Sequence, residues 1–470
     1  MTNKVIFDKR KFFKLCFIVP IPFLFNFILN FIKNDFTILF LSLNNMVFSF
    51  ISFIFIYSFC SMISQSLKIK SKALSIGIFY ISFFILNFTT LIFDKSFLNF
   101  VDYFNITILF WIVYISTRLR HLNKIYFFLT ALSYSLIYFF KDLVRENKFL
   151  ITEMSSDTNY FWTPMSKIIY ENDLFFALEN NIIPGYGLLI NYIHAVNYKL
   201  FINENIYLFY PATTNIFLFF GILFIYELNI AKSIKFNALI IYLTILLNSD
   251  WLSYLFFNST MGEGVVSFLF SVLFVNIINS KITPDSKYKN GPKLIFIFFS
   301  GFIYFAKPFV SYLILATIVI LFFKYKNFKI LISGFFGFLM NIFNYKFVVS
   351  DANIDGYINS INIFNLEIYK NLNLNNINLI LENFYNLDKV ITLFFLILYF
   401  LILYNLSHLK YFSASTLFIF VNVFLVFALY ISFWKNVELG SAYRYIVSIL
   451  NLYFYIYLEE LDKLRSYIKK

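Results

Sequence analysis

Five ionisable residues stand apart in this 470-residue chain because they are not simply basic loop charges: Asp157, Glu263, Lys307, Glu438 and Arg444. A carboxylate can take up a proton, cap a helix or help hold a cation, whereas an ammonium or guanidinium holds anions. Other reactive chemistry is thin. With 3 His and 2 Cys, the chain shows no three ligands at a zinc spacing. Cys16 and Cys60 both fall in apolar runs, which rules out a Cys-rich metal site. No glycine-rich phosphate loop is present, so chemistry driven by ATP or a nucleotide sugar is not expected.

The stretch around the first acid is SSDTNYFWTPMSKIIYENDLF, residues 155–175. Phe161, Trp162, Met165, Ile168 and Ile169 recur at helical spacing, with Thr158, Ser166, Lys167 and Glu171 on the other side. The pattern predicts an amphipathic helix at a membrane interface. Pro164 either kinks this helix or occupies its first turn with Thr163 as the cap. Asp157 stands at or just before its start, where a carboxylate also serves as a helix cap. The following FFALENNIIPGYGLLINYIHAV begins polar, passes a Pro-Gly-Tyr-Gly turn at 184–187 and enters an apolar helix. That helix is too interrupted to span, as in an interfacial or re-entrant element over a cavity.

The elements that must position these residues follow from composition. The chain is 60% hydrophobic and 23% aromatic, and only 13% of it is charged. Apolar runs long enough to cross a ~30 Å hydrocarbon core recur throughout. The expected fold is all-α: a polytopic transmembrane bundle of about 12 to 14 spans, with interfacial helices in its first large external loop. Spans are expected near 12–32, 37–63, 73–93, 97–115 and 125–140, then near 207–228, 236–252, 263–279, 294–305, 309–323 and 330–346, and finally near 389–406, 412–434 and 443–458. This divides the chain into an N-terminal five-span group (1–140), an external loop (141–206) and a C-terminal group (207–470) with a second external segment at 347–388.

Charge orients these spans. SQSLKIKSK, STRLRHLNK, KSIK, SKITPDSKYKNGPK, KYKNFK and both termini are basic, whereas KND, DKS and the 347–388 segment are neutral or acidic. The two sets alternate, with the basic set cytoplasmic, provided that 182–200 does not cross fully and that Lys307-Pro308 breaks a helix pair. The net charge of +13 then reports topology, not nucleic-acid binding. In this arrangement Asp157, Glu263, Lys307, Glu438 and Arg444 all fall at external span ends, and such clustering of costly charges suggests a site.

Taken in order, these stretches resemble the GT-C-type membrane glycosyltransferases. The likeness is to the bacterial subgroup in which several spans precede D-x-x-x-x-W-x-x-K-A and then H-P-D-Y-P. Asp157, Trp162, Lys167, Pro184 and Tyr186 match or nearly match. NSTMGEGVVSFLFSVLF resembles the family's external acid at a span start, with Glu263 in that place. IYFAKPFVSYLIL resembles its short external hairpin, with Lys307, and ELGSAYRYIVSIL its late Arg-aromatic signature, with Arg444. Ile183, Gly185 and Gly187 depart from H-P-D-Y-P, which leaves acceptor and metal open.

The resemblance implies a polyprenyl-phosphate sugar donor, a lipid, glycan or protein acceptor, and reaction at the external face of a bacterial plasma membrane. It implies no fixed cofactor, with a divalent cation (Mg or Mn) left open. Asp157 would be the base that takes the acceptor proton. Arg444 and Lys307 would meet the departing phosphate, and Glu263 would orient the acceptor or help hold a cation. Tyr160, Trp162, Lys167 and Tyr186 would line the substrate, although interfacial aromatics need no substrate to be there. Two other functions fit a many-span chain. An O-antigen-type polymerase or ligase would use external arginines, of which Arg145 and Arg444 are the candidates. A lipid or sugar flippase would show internal repeats, and none is visible.

Overall fold

The computed structural model describes residues 16–17, 36–67, 69, 71–91, 93–94, 98–118, 123–146, 158–180, 188–201, 217, 220–228, 230–248, 263–279 and 450–468. It also describes single positions within 328–339, 374–378 and 393–404. Every regular element among the described residues is a helix. They are α1 (Phe36–Leu67), α2 (Lys72–Leu91), α3 (Phe100–Ser116), α4 (Lys124–Glu146), a π turn (Thr158–Trp162), α5 (Thr163–Glu171), α6 (Leu174–Glu179), α7 (Leu189–Phe201), α8 (Lys232–Asn248), α9 (Glu263–Asn279) and α10 (Leu450–Ile468). The first four and α8 and α9 fall within a few residues of expected spans. Among the described residues two segments, Phe50–Leu67 and Lys72–Leu91, are long and apolar enough to cross a membrane, and both are mostly buried. Most of the expected spans between 280 and 449 lie outside the described residues.

The chain forms two compact units: Met1–Ile182 with Ile190–Glu227 and Leu255–Gly262, and Ile183–Leu189 with Leu228–Tyr254 and Glu263–Lys470. In the first unit α1 packs along α4 and α2, and α2 against α3. The core is aromatic because Phe and Tyr supply most of the bulk. Phe59 meets Phe79 at 5.4 Å, Phe79 meets Phe83 at 5.1 Å, and Phe83 stacks on Phe104 at 5.2 Å between ring centroids. Such pairs add to the area they bury. Two serines of α1 bond locally: Ser61 Oγ donates to the Tyr57 carbonyl and Ser66 Oγ to that of Met62. Back-bonding of this kind lets a small polar residue enter an apolar contact without an orphaned hydroxyl.

The two ends of α2, about 30 Å apart at 1.5 Å per residue, differ in chemistry. At its N-terminus Ser71 caps the helix by accepting from the Leu74 N–H at 3.1 Å. Glu227, 155 residues away in the chain, accepts from the Lys72 N–H and from Ser71 Oγ, both at 2.8 Å. A carboxylate is well placed against the free amides and positive dipole of a helix start. The Lys72 ammonium donates to the phenols of Tyr57 (2.5 Å) and Tyr126 (2.7 Å) and lies over both rings. Gln65 accepts from the Asn123 N–H at 3.1 Å. The basic stretches 64–72 and 116–124 and the residue Glu227, just before KSIK, therefore meet at one end of this unit, as the charge alternation requires.

At the other end of α2, Thr90 donates to Tyr103 at 2.5 Å, and Asn99 caps α3 by accepting from the Asp102 N–H. The second unit has the same polarity along α10. The α10 carboxylate of Asp462 accepts from the Ala231 N–H just before α8, and Arg465 bonds Ser233. Ser267, in the second turn of α9, accepts from the Asn451 N–H at the start of α10. The KSIK stretch and the Glu263 helix start thus sit at opposite ends of α10. Beyond its apolar part, α10 carries Lys463, 2.7 Å from Glu460 and 3.4 Å from Glu459. Burial opposes the charge on Lys463, but the two carboxylates outweigh it and hold the ammonium above its ordinary range.

Candidate functional site

The segment following Asp157 is built at the end of the first unit away from the basic stretches. The Phe100 N–H at the start of α3 donates to the Asn172 carbonyl at 3.0 Å. The Phe100 ring meets Tyr170 of α5 at 5.9 Å and Tyr192 of α7 at 5.2 Å, and Tyr170 meets Tyr198 edge-on at 4.3 Å. Asp173 then caps α6 by accepting from the Phe176 N–H at 2.7 Å. This short connection turns the chain without leaving a helix start uncapped.

The local backbone differs from the expected single amphipathic helix. A π turn over Thr158–Trp162 runs directly into α5, and Pro164 lies in the first α turn. Trp162, at the cap position, has helical φ and ψ and no side-chain cap, so Thr163 does not take the capping role. Proline has no N–H to give, and a π turn just before it is one way the helix absorbs the missing bond. The extra residue also shifts which side faces inward. Trp162, Thr163, Met165, Ser166 and Ile169 are buried, Phe161 is 40% exposed, and Lys167 and Glu171 face out. Ser166, expected on the polar side, is buried because its hydroxyl donates to the Trp162 carbonyl at 2.8 Å.

Of the residues singled out in the sequence, Tyr160 is 71% exposed and Trp162 only 4%. Lys167 is exposed and pairs with Glu171 at 3.5 Å. At that exposure the pair contributes only a few tenths of a kcal/mol, roughly 0.3–0.5. Glu263 is the first residue of α9. Asp157, Tyr186, Lys307, Glu438 and Arg444 lie outside the described residues, so Asp157 is located only as the chain neighbour of the π turn. Among the described residues no group of three or more His, Cys, Asp or Glu is placed to hold a metal.

Sequence reasoning missed α7's part in this region. It was expected as an interrupted, interfacial or re-entrant helix, and every residue from Leu188 to Tyr198 is buried, including Asn191, His194 and Asn197. Asn191 and Asn197 are accommodated by specific partners. Asn191 Nδ2 donates to the Trp162 carbonyl at 3.1 Å and approaches Ser166 Oγ at 3.4 Å. Asn87 donates to Tyr192 at 3.0 Å, and Tyr80 donates to Asn197 at 2.7 Å. The signal was present: polar residues at i, i+3 and i+6 in an apolar helix mark one inward stripe.

These contacts also measure how far α7 reaches. Its 13 residues, about 20 Å, descend beside α2 from Asn87 to Tyr80. Phe217 then meets Tyr80 at 5.3 Å, and Glu227 reaches Lys72. Among the described residues, α7 therefore lies beside the C-terminal half of α2, and Phe217 and Glu227 meet its N-terminal half. Comparison of the chain with family models, with curated proteins and with solved structures finds no match.

Proposed function

We propose that the chain is a polytopic membrane glycosyltransferase. It moves a sugar from a polyprenyl-phosphate donor to an acceptor hydroxyl at the external face of a bacterial plasma membrane. Asp157 takes the hydroxyl proton while the acceptor oxygen bonds the anomeric carbon. The bond from that carbon to the phosphate oxygen breaks, and the lipid phosphate leaves with the electron pair. Arg444 and Lys307 stabilise the charge gained by the departing phosphate. Glu263 orients the acceptor or assists a divalent cation, and Tyr160 and Tyr186 border the sugar.

One observation carries this reading: the π turn and α5, which follow Asp157, are fastened at the end of the first unit opposite the convergence of the basic stretches. A site there and cytoplasmic basic loops are mutually consistent. The surface supports the membrane part. On α3 and α4, Leu109, Phe110, Val113, Phe127, Phe128 and Phe139 are each more than half exposed. Phe328, Ile332, Phe335 and Leu339, and Leu393, Leu396, Ile397 and Phe400, repeat such exposed stripes at helical spacing. Water-facing surfaces seldom carry apolar area on this scale, whereas hydrocarbon chains cover it without cost.

The test replaces Asp157 with Asn in a strain lacking the native copy and measures its glycans and glycolipids. Loss of a general base predicts product reduced by about 10²–10⁴-fold at unchanged protein level. Undiminished product removes Asp157 as the base. Counterflow of a lipid-linked sugar through proteoliposomes, with no transfer, would instead point to a flippase.

A further inference from the structure

We infer that Asn191 is a positioning residue for the Asp157 turn, an inference that rests on the reading of Asp157 as the base. The π turn from Thr158 to Trp162 is the described element that follows Asp157 directly in the chain, and its last carbonyl is held from two directions. Ser166 Oγ donates to the Trp162 carbonyl from within α5, and Asn191 Nδ2 donates to the same oxygen from α7. The same amide nitrogen approaches Ser166 Oγ, so one side chain fixes both the carbonyl and its local partner. Asn191 is 2% exposed and Trp162 4%, so water does not compete for these bonds.

The geometry has a specific consequence for catalysis. Pro164 supplies no N–H to the preceding turn, so the junction between π and α geometry lacks one of its helical bonds. Asn191 reinforces that junction through a side chain that holds the end of the π turn at Trp162. A base must sit within hydrogen-bond reach of the proton it takes, and a displacement of about 1 Å costs on the order of 10²-fold in rate. Asn191 also lies five positions after Tyr186 in the chain, on the helix that follows the Pro184–Gly187 stretch. A single amide therefore links the helix behind one half of the sequence constellation to the turn behind the other.

The test uses the full-length protein in nanodiscs and two variants. Asn191→Ala removes the side chain; Asn191→Asp keeps its volume and removes both amide donors. Amide exchange over 158–166 is expected to accelerate by about tenfold or more, with protection of α1 and α2 unchanged. With a polyprenyl-phosphate-sugar extract of the host membrane as donor, kcat is expected to fall by about tenfold or more, with KM for the extract within about twofold. Ser166→Ala, which removes the partner hydroxyl, should move exchange and kcat in the same direction by less. Unchanged exchange overturns the proposal. So does faster exchange with kcat preserved, or a rise in KM alone, because a merely structural amide would give the first and a substrate contact the second. Full activity of Asp157→Asn defeats the underlying assignment separately, whatever the Asn191 variants do.

Discussion

At the scale of single residues, neighbouring aromatics in the π turn have opposite duties. Trp162 is buried beneath α5, while Tyr160, two positions earlier, projects from the same turn. Trp162→Ala is expected to destabilise the protein by about 3–5 kcal/mol, the cost of emptying a large packed site, and so confounds any activity reading. Tyr160→Ala should change stability by less than about 0.5 kcal/mol while raising KM for the donor or acceptor several-fold. Thermal unfolding and kinetics on both variants check this; a Tyr160→Ala protein with unaltered kinetics removes Tyr160 from the substrate wall. The periodicity of 158–171 showed that one face is apolar, but not which residues centre it. A π turn adds a residue per turn and rotates the face, and a serine such as Ser166 enters the interior once a local carbonyl accepts its proton. Neither effect can be read from side-chain type alone.

At the scale of elements, α7 shows where pattern reading stops. Its apolar, helical character was plain, whereas the Pro-Gly-Tyr-Gly turn expected before it lies outside the described residues. Its full burial was not plain, because an isolated Asn or His in an apolar helix reads equally as a half-wet face or an inward stripe. The partners that decide it, Tyr80, Asn87 and the Trp162 carbonyl, are 29 to 117 residues away in the chain. The Tyr80–Asn197 bond at 2.7 Å is the deepest of these along α2, and it holds α7 against that helix. A double-mutant cycle with Tyr80→Phe and Asn197→Ala is expected to give a coupling of about 0.6–1.7 kcal/mol, the range for side-chain bonds between membrane helices. Zero coupling in thermal or denaturant unfolding would mean that packing alone seats α7.

At the scale of the whole molecule, the all-helical architecture was legible because long apolar runs leave few alternatives, and helix positions from 36 to 146 follow those runs closely. The pairing of ends was legible from charge: Lys72, Asn123 and Glu227 gather at one end of the first unit, and Asn99, Asn172 and Asp173 at the other. The tertiary carboxylate cap of Glu227 on α2 was not legible, since a lone acid beside a basic loop carries no address. Two exposed positions report the two ends directly: Tyr160 in the π turn and Arg118 after α3. In a background with Cys16→Ser and Cys60→Ser, a membrane-impermeant maleimide is applied to intact spheroplasts carrying Tyr160→Cys or Arg118→Cys. A catalytic face outside and basic loops inside predict that Tyr160→Cys reacts at once and Arg118→Cys only after permeabilisation. Equal reaction of both positions in intact spheroplasts, or reaction of Arg118→Cys alone, would contradict it.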